Sequence, residues 1–91
     1  MSQAVTNNPA QNRFELETSA GLAVADYRLE PGTMTIFHTE VPVSLRGRCI
    51  GARLVRGALL EARRMHLKVI PQCWFVRAFA ERNPEFADVV R

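Results

Sequence analysis

Between Thr33 and Ile70 the chain changes its hydrophobic period twice, and this restricts the fold more than any other feature. Thr33-Met-Thr-Ile-Phe-His-Thr39 is rich in β-branched and aromatic residues and reads as a strand. Ile50, Leu54, Ala58, Ala62 and Met65 then recur four, four, four and three apart, with Val55 and Leu59 widening the stripe. Arg53, Arg56, Arg63 and Arg64 occupy the other faces. That spacing predicts an amphipathic helix of about four turns. Leu67-Lys-Val-Ile70 is a short strand closed by Pro71. A helix between two strands is a crossover, so those strands run parallel.

The flanks complete an α/β fold. Arg13-Phe-Glu-Leu-Glu-Thr18 alternates polar and apolar, Ser19-Ala-Gly21 is a turn, and Leu22–Leu29 is a second strand. Glu30-Pro-Gly32 turns the chain into the third, so the first three strands form an antiparallel meander. After the parallel fourth strand, Trp74–Arg82 reads as a C-terminal helix with Trp74, Phe75, Ala78 and Phe79 as its apolar contacts. Asn83-Pro84 stops it, and Glu85–Val90 forms a last turn or short helix.

A length of 91 residues supports one domain, placed at 13–91, behind a polar, frayed leader at 1–12. The leader lacks the basic-then-apolar order of a signal peptide, and no apolar run has the length of a membrane span. The expectation is therefore a cytoplasmic protein with no membrane partner. Its two cysteines, Cys49 and Cys73, are expected to stay thiols. No pair among His38, Cys49, His66 and Cys73 has the close spacing of structural zinc ligands, so no metal is expected.

Charge is unevenly spread. Residues 1–42 carry two arginines against five carboxylates, residues 43–68 carry six arginines and Lys68 against Glu61 alone, and the remainder balances. A site holding a polyanion on one side and accepting a cation on the other would use such a split.

The basic segment opens with Arg46-Gly-Arg-Cys-Ile-Gly-Ala52, a glycine-bearing loop at the helix start. A helix start leaves N–H groups unpaired and carries partial positive charge, and Arg46 and Arg48 add guanidinium forks. The loop matches neither the Walker A nor the Rossmann pattern. Pattern alone leaves two readings open, a phosphate cradle and an ordinary turn with solvated arginines.

Other candidates are equally two-sided. His38 and Glu40 are two apart on a strand and share a face, where histidine can take a proton from an amine that the carboxylate orients. The bland alternative is a sheet-end histidine beside a solvated glutamate. Cys73 precedes a helix, which suits a reactive thiol or a buried inert one. Cys49 can pack beneath the helix start, and His66 can interact with the last helix carbonyls. Trp74 and Phe75 suit base stacking or, more commonly, the core.

Taken in order, four segments resemble the small, single-domain branch of the GNAT superfamily of acetyl-coenzyme A-dependent N-acetyltransferases. They are His38-Thr-Glu-Val-Pro42, Leu45-Arg-Gly-Arg-Cys-Ile-Gly-Ala-Arg-Leu54, Ile70-Pro-Gln-Cys-Trp-Phe-Val76 and Asn83-Pro-Glu-Phe-Ala-Asp-Val89. The superfamily's pyrophosphate loop has Gln or Arg, two residues, Gly, one residue, then Gly or Ala. Arg46 supplies its first position and Gly51 its last, while Cys49 replaces the first glycine. If that position requires positive φ or close backbone approach, a side chain there costs affinity.

The resemblance implies acetyl-coenzyme A as co-substrate, with the strand end around Val41 bonding the pantetheine arm. Backbone N–H groups of Gly47, Arg48, Cys49, Ile50, Gly51 and Ala52 would cradle the pyrophosphate beside Arg46 and Arg48. It implies direct attack by an amine, a strand N–H facing the developing oxyanion, and His38 and Cys73 as the catalytic pair. His38 would be the base with Glu40 as its aid. Cys73 would be a proton donor to the leaving thiolate or a transient acetyl acceptor. Lacking the helical pair of larger relatives, the chain would have an open acceptor side, suited to a protein lysine, polyamine or small amine. The expected assembly is a monomer or weak homodimer. Two rivals stay open: a coenzyme-binding protein without turnover, and a nucleic-acid module using the Arg46–Lys68 stripe and Trp74.

Overall fold

A computed structural model describes residues 4–91. One sheet holds five strands in the order β1 (Thr6–Asn8), β2 (Arg13–Thr18), β3 (Gly21–Glu30), β4 (Thr33–Glu40) and β5 (Lys68–Pro71). Neighbours from β1 to β4 are antiparallel, and β4 and β5 are parallel. The crossover between them contains a single-turn 3₁₀ helix at Val43–Leu45 and helix α1 (Ile50–Arg64), and helix α2 (Trp74–Arg82) follows β5. The expected parallel pair is thus formed. Among the described residues no helix is long and apolar enough to cross a membrane.

Alternation sorts the sheet into two faces. Phe14, Leu16, Ala23, Ala25, Tyr27, Met34 and Ile36 are buried on one, against Leu54, Val55, Ala58, Leu59 and Ala62 of α1. The alanines on both elements let helix and sheet approach closely, which a 91-residue chain needs to close a core. On α2 the buried residues are Val76 and Phe79, three apart and one helical turn deep. Trp74, expected among the apolar contacts of this helix, is instead 71% exposed, because it sits in the first turn off the Val76–Phe79 line.

The frayed leader expected at 1–12 does not hold for its described part. Thr6–Asn8 pairs with Arg13–Glu15 as an edge strand. The Tyr27 hydroxyl donates to Asn7 Oδ1 at 2.6 Å, and Asn8 Nδ2 donates to Glu15 Oε2 at 2.9 Å. Val5 packs against α1 at Gly57, where a Cβ would lie 2.5 Å from the Val5 Cβ. Three polar residues carry no periodic signal; their order comes from a partner strand and from a gap in a distant helix. Residues 1–3 of that leader lie outside the described residues.

The C-terminal segment is a 3₁₀ turn, Pro84–Phe86, followed by pairing with the free edge of β5. Val69 N–H donates to Val89 O and Arg91 N–H to Val69 O, both at 2.8 Å. Two arginines of α1 hold this segment down. Arg63 makes a two-pronged contact with Asp88, at 2.7 and 3.0 Å, and Arg56 reaches Glu85 and Asn83 at 3.1 Å. Both guanidinium groups also lie over the Phe86 ring, at 5.4 and 5.2 Å.

His66 does close α1, but through its backbone. At φ 60° its N–H donates to Arg63 O, and the next N–H, Leu67, reaches back to Ala62 O. This is the paired-carbonyl helix ending that usually places glycine at the left-handed residue. Among the described residues the imidazole bonds none of the last carbonyls.

Candidate active site

Strands β4 and β5 part at a defined point. Their ladder runs from Thr33↔Lys68 to Ile36↔Pro71 and stops there, since proline has no N–H to continue it. One further bond, Cys73 N–H to Ile36 O at 3.0 Å, ties down the chain before it turns into α2. β4 continues through Phe37, His38, Thr39 and Glu40 paired with β3 only, so its β5-side edge has no strand partner there. The outcome is an opening in the ladder between the end of β4 and the start of α2.

A bulge sets which side chains face this opening. The β3–β4 register passes from Tyr27↔Ile36 to Asp26↔His38, leaving Phe37 as an extra residue. Unbroken alternation from Met34 and Ile36 would place His38 and Glu40 on the core face. The bulge moves them to the outer face and puts Thr39 opposite the buried Ala25. His38 Nε2 lies 3.4 Å from Glu40 Oε1, with side chains 53% and 69% exposed. Phe37 carries the Arg28 guanidinium 5.0 Å from its ring centroid, and Arg28 also donates to Gln72 Oε1, lashing the β5–α2 link to the outer face.

His38 and Glu40 therefore come together, as their spacing predicts. The expected partner Cys73 lies on the other side of β4. Its sulfur is 3.5 Å from Thr39 Oγ1, and no hydrogen bond joins it to His38 among the described residues. Both cysteines are free thiols, Cys49 exposed and Cys73 half-buried. Cys49 accordingly does not pack beneath the helix start.

The arginine-bearing loop follows from Val41 and Pro42. Arg46 N–H donates to Val43 O, Arg48 N–H to Leu45 O, and Arg53 N–H to Cys49 O. Among the described residues the N–H groups of Gly47, Cys49, Ile50, Gly51 and Ala52 have no protein acceptor, and no side chain caps α1. Arg48 is thus the one member of the expected cradle whose amide is already engaged. Cys49, the residue before α1, sits at φ 62°. The position where a glycine is usual does require the left-handed region, and here cysteine adopts it. Gly51 is needed for space: a Cβ there would lie 2.9 Å from Phe75 Cζ and 3.6 Å from Val41 Cγ2.

Ion pairing divides the basic stripe. Arg56, Arg63 and Arg64 are matched by Glu85, Asp88 and Glu61. Hydrogen bonding from Arg63 holds the Asp88 carboxyl below its ordinary range, and bonding from Arg64 does the same for Glu61. Arg46, Arg48 and Arg53 make no ion pair among the described residues. Of the six arginines in this stripe, the three without an ion pair are therefore the three nearest the helix start, in the same stretch as the open amides. Five amides without a protein acceptor and three arginines without an ion pair offer donors and positive charge of the kind an anion requires.

A family model described as GCN5-related N-acetyl-transferase matches residues 13–89. The chain belongs to this family. The NMR solution structure of a GCN5-like protein from Staphylococcus aureus superposes with a TM-score of 0.71 at 25% identity, covering all of this chain and 91% of that one. Protein NATD1 of Danio rerio is 36% identical over 52 residues, which is 57% of this chain and 47% of that protein. Protein NATD1 of Homo sapiens is 38% identical over 47 residues, 52% and 42% of the two chains. The chain thus spans about half the length of the curated relatives it matches.

For this GCN5-related chain, three site features are not legible in the sequence: the Thr39 contact, the free state of Arg53, and the Phe75 ring against Gly51. The bulge hides the first, because plain alternation assigns Thr39 to the wrong face. Arg53 lies in the first turn of α1, shortly after Arg46 and Arg48 in the chain, and that proximity is its only local signal. Nothing local relates Gly51 to a ring 24 positions later.

Proposed function

We propose that this chain transfers an acetyl group from acetyl-coenzyme A to an amine. The observation that carries the reading is the run of unpartnered amides at Gly47, Cys49, Ile50, Gly51 and Ala52, framed by Arg46, Arg48 and Arg53. The coenzyme, when bound, supplies an acetyl group activated as a thioester. The amides and guanidinium groups hold its diphosphate, and Val41 with the unpaired edge of β4 guides the pantetheine arm toward the opening. A β4 N–H on that edge faces the carbonyl oxygen where negative charge develops.

The acceptor approaches from the outer face, on which His38 and Glu40 lie. With Nε2–H donated to Glu40, His38 presents Nδ1 to take the proton released as the amine nitrogen bonds to the acyl carbon. Cys73, where the β4–β5 ladder ends, gives its thiol proton to the departing sulfur. Asp26 stands directly across from His38 and adds a second carboxylate to this face, which favours a cationic acceptor: a protein lysine, a polyamine or a small amine. The same reading includes a cytoplasmic location, which two free thiols support. Pairing of Arg56, Arg63 and Arg64 breaks up the stripe that a nucleic-acid module would use.

Calorimetry with acetyl-coenzyme A, followed by free-thiol release across a panel of amines, tests the reading. Binding with amine-dependent release is expected. His38→Ala should lower the rate by about 10²–10⁴ with affinity nearly unchanged. Binding without release from any amine would assign the chain to coenzyme binding alone, and no binding at all would overturn the reading.

A further inference from the structure

We infer that Thr39 is a positioning residue for the Cys73 thiol, an inference that rests on the proposed acetyl transfer. The two residues belong to the two elements that diverge at the opening, and their side chains meet across it, Oγ1 to Sγ at 3.5 Å. The Cys73 backbone is fixed independently. Its N–H is held by Ile36 O at 3.0 Å, and its C=O accepts the Arg77 N–H at 3.1 Å as the residue preceding α2. The thiol has no part in capping that helix; it packs at the margin of the core, and Thr39 Oγ1 is its one polar contact among the described residues. Thr39 is placed for this by the Phe37 bulge, which turns it to the core side opposite Ala25. Being β-branched, it holds its hydroxyl in few orientations.

The role follows from donor and acceptor accounting. Both groups can donate and both can accept. When the Thr39 O–H points at the sulfur, the Cys73 S–H is free to point into the opening. As the amine–acyl bond forms and the acyl C–S bond breaks, the electron pair goes to the coenzyme sulfur, and the Cys73 proton follows it. The negative charge then left on Sγ is met by the Thr39 O–H and by the positive end of α2. The proton that His38 takes from the amine is released to solvent, and solvent returns one to Cys73. Charges and protons balance without another reactant.

The test compares Thr39→Val with Thr39→Ser. Iodoacetamide labelling, read by peptide mass spectrometry, follows Cys73 and uses Cys49 as an internal reference in the same molecule. Thr39→Val is expected to slow labelling of Cys73 about tenfold, the scale of one hydrogen bond to a charged group, without changing Cys49. The same variant should lower kcat with KM for acetyl-coenzyme A unchanged, and Thr39→Ser should restore both readings. An unchanged Cys73 rate in Thr39→Val overturns the inference. So does a Ser variant as impaired as Val, since packing and not the hydroxyl would then matter. Slowed labelling with unchanged kcat also overturns it, because the reaction would not use that thiol. Failure of the proposed function shows separately, as wild-type protein that binds the coenzyme and releases no thiol; the labelling ratio then decides the Thr39–Cys73 relationship by itself.

Discussion

The ring of Phe75 lies against the backbone of Gly51, so close that a Cβ on Gly51 would stand 2.9 Å from Phe75 Cζ. This one contact joins the first turn of α1, where the open amides are, to the first turn of α2, beside Cys73. Gly51→Ala gains about 0.5–1 kcal/mol of helix preference. It also forces the ring aside, and overpacking of this kind costs about 1–3 kcal/mol. A net loss of stability is expected, with weakened coenzyme binding as the cradle shifts. Phe75→Leu in the same chain should return part of both, a coupling above about 0.5 kcal/mol in a double-mutant cycle. Urea unfolding and calorimetry on the four proteins measure it, and strictly additive effects would refute the link.

Cys49 occupies a left-handed position with a side chain attached. Replacing it by glycine removes that strain and keeps the amide. Cys49→Gly is therefore expected to raise stability by about 0.5–1 kcal/mol and to bind acetyl-coenzyme A at least as tightly as the native chain. Cys49→Val should be worse on both counts, because a β-branched residue is poorly accommodated at positive φ. Thermal melts with and without coenzyme separate the two effects.

Carboxylates that tie the termini down also set the acid limit. Asp88 is held below its ordinary range by hydrogen bonding from Arg63, Glu85 by its own backbone N–H and then Arg56, and Glu15 by Asn8 and then Arg13. Each has a lower pKa folded than unfolded, so the unfolded chain binds more protons in the acid range. Their contribution is complete above the ordinary carboxylate pKa of about 4 and disappears as pH falls through the lowered folded values. Melting temperature should fall on acidification from about pH 5 to about pH 3, and Asp88→Asn should flatten that slope. Parallel slopes for the two proteins would show that the Arg63–Asp88 pair does not contribute.

Much of this architecture was legible from residue order. Strict alternation in Arg13–Thr18, proline and glycine at 31–32, and the four-residue spacing from Ile50 are local signals, and a strand–helix–strand run supplies the crossover that a parallel pair needs. They determined the meander, the crossover and the basic loop at the helix start. His38 and Glu40 also share a face whichever face it is, because two residues apart on a strand always do.

What the tertiary structure alone decided is where those faces point and which charges remain free. One extra residue at Phe37 reverses the side on which His38, Thr39 and Glu40 lie, and a bulge depends on register with the neighbouring strand, which no single segment encodes. Whether an arginine is available depends on what folds against it, so Arg56 and Arg63 are engaged by a C-terminal segment some twenty to thirty positions away while Arg46 and Arg48 are left open. Thr6–Asn8 is ordered for the same reason: polar residues gain a strand only once β2 offers an edge and Gly57 leaves room for Val5.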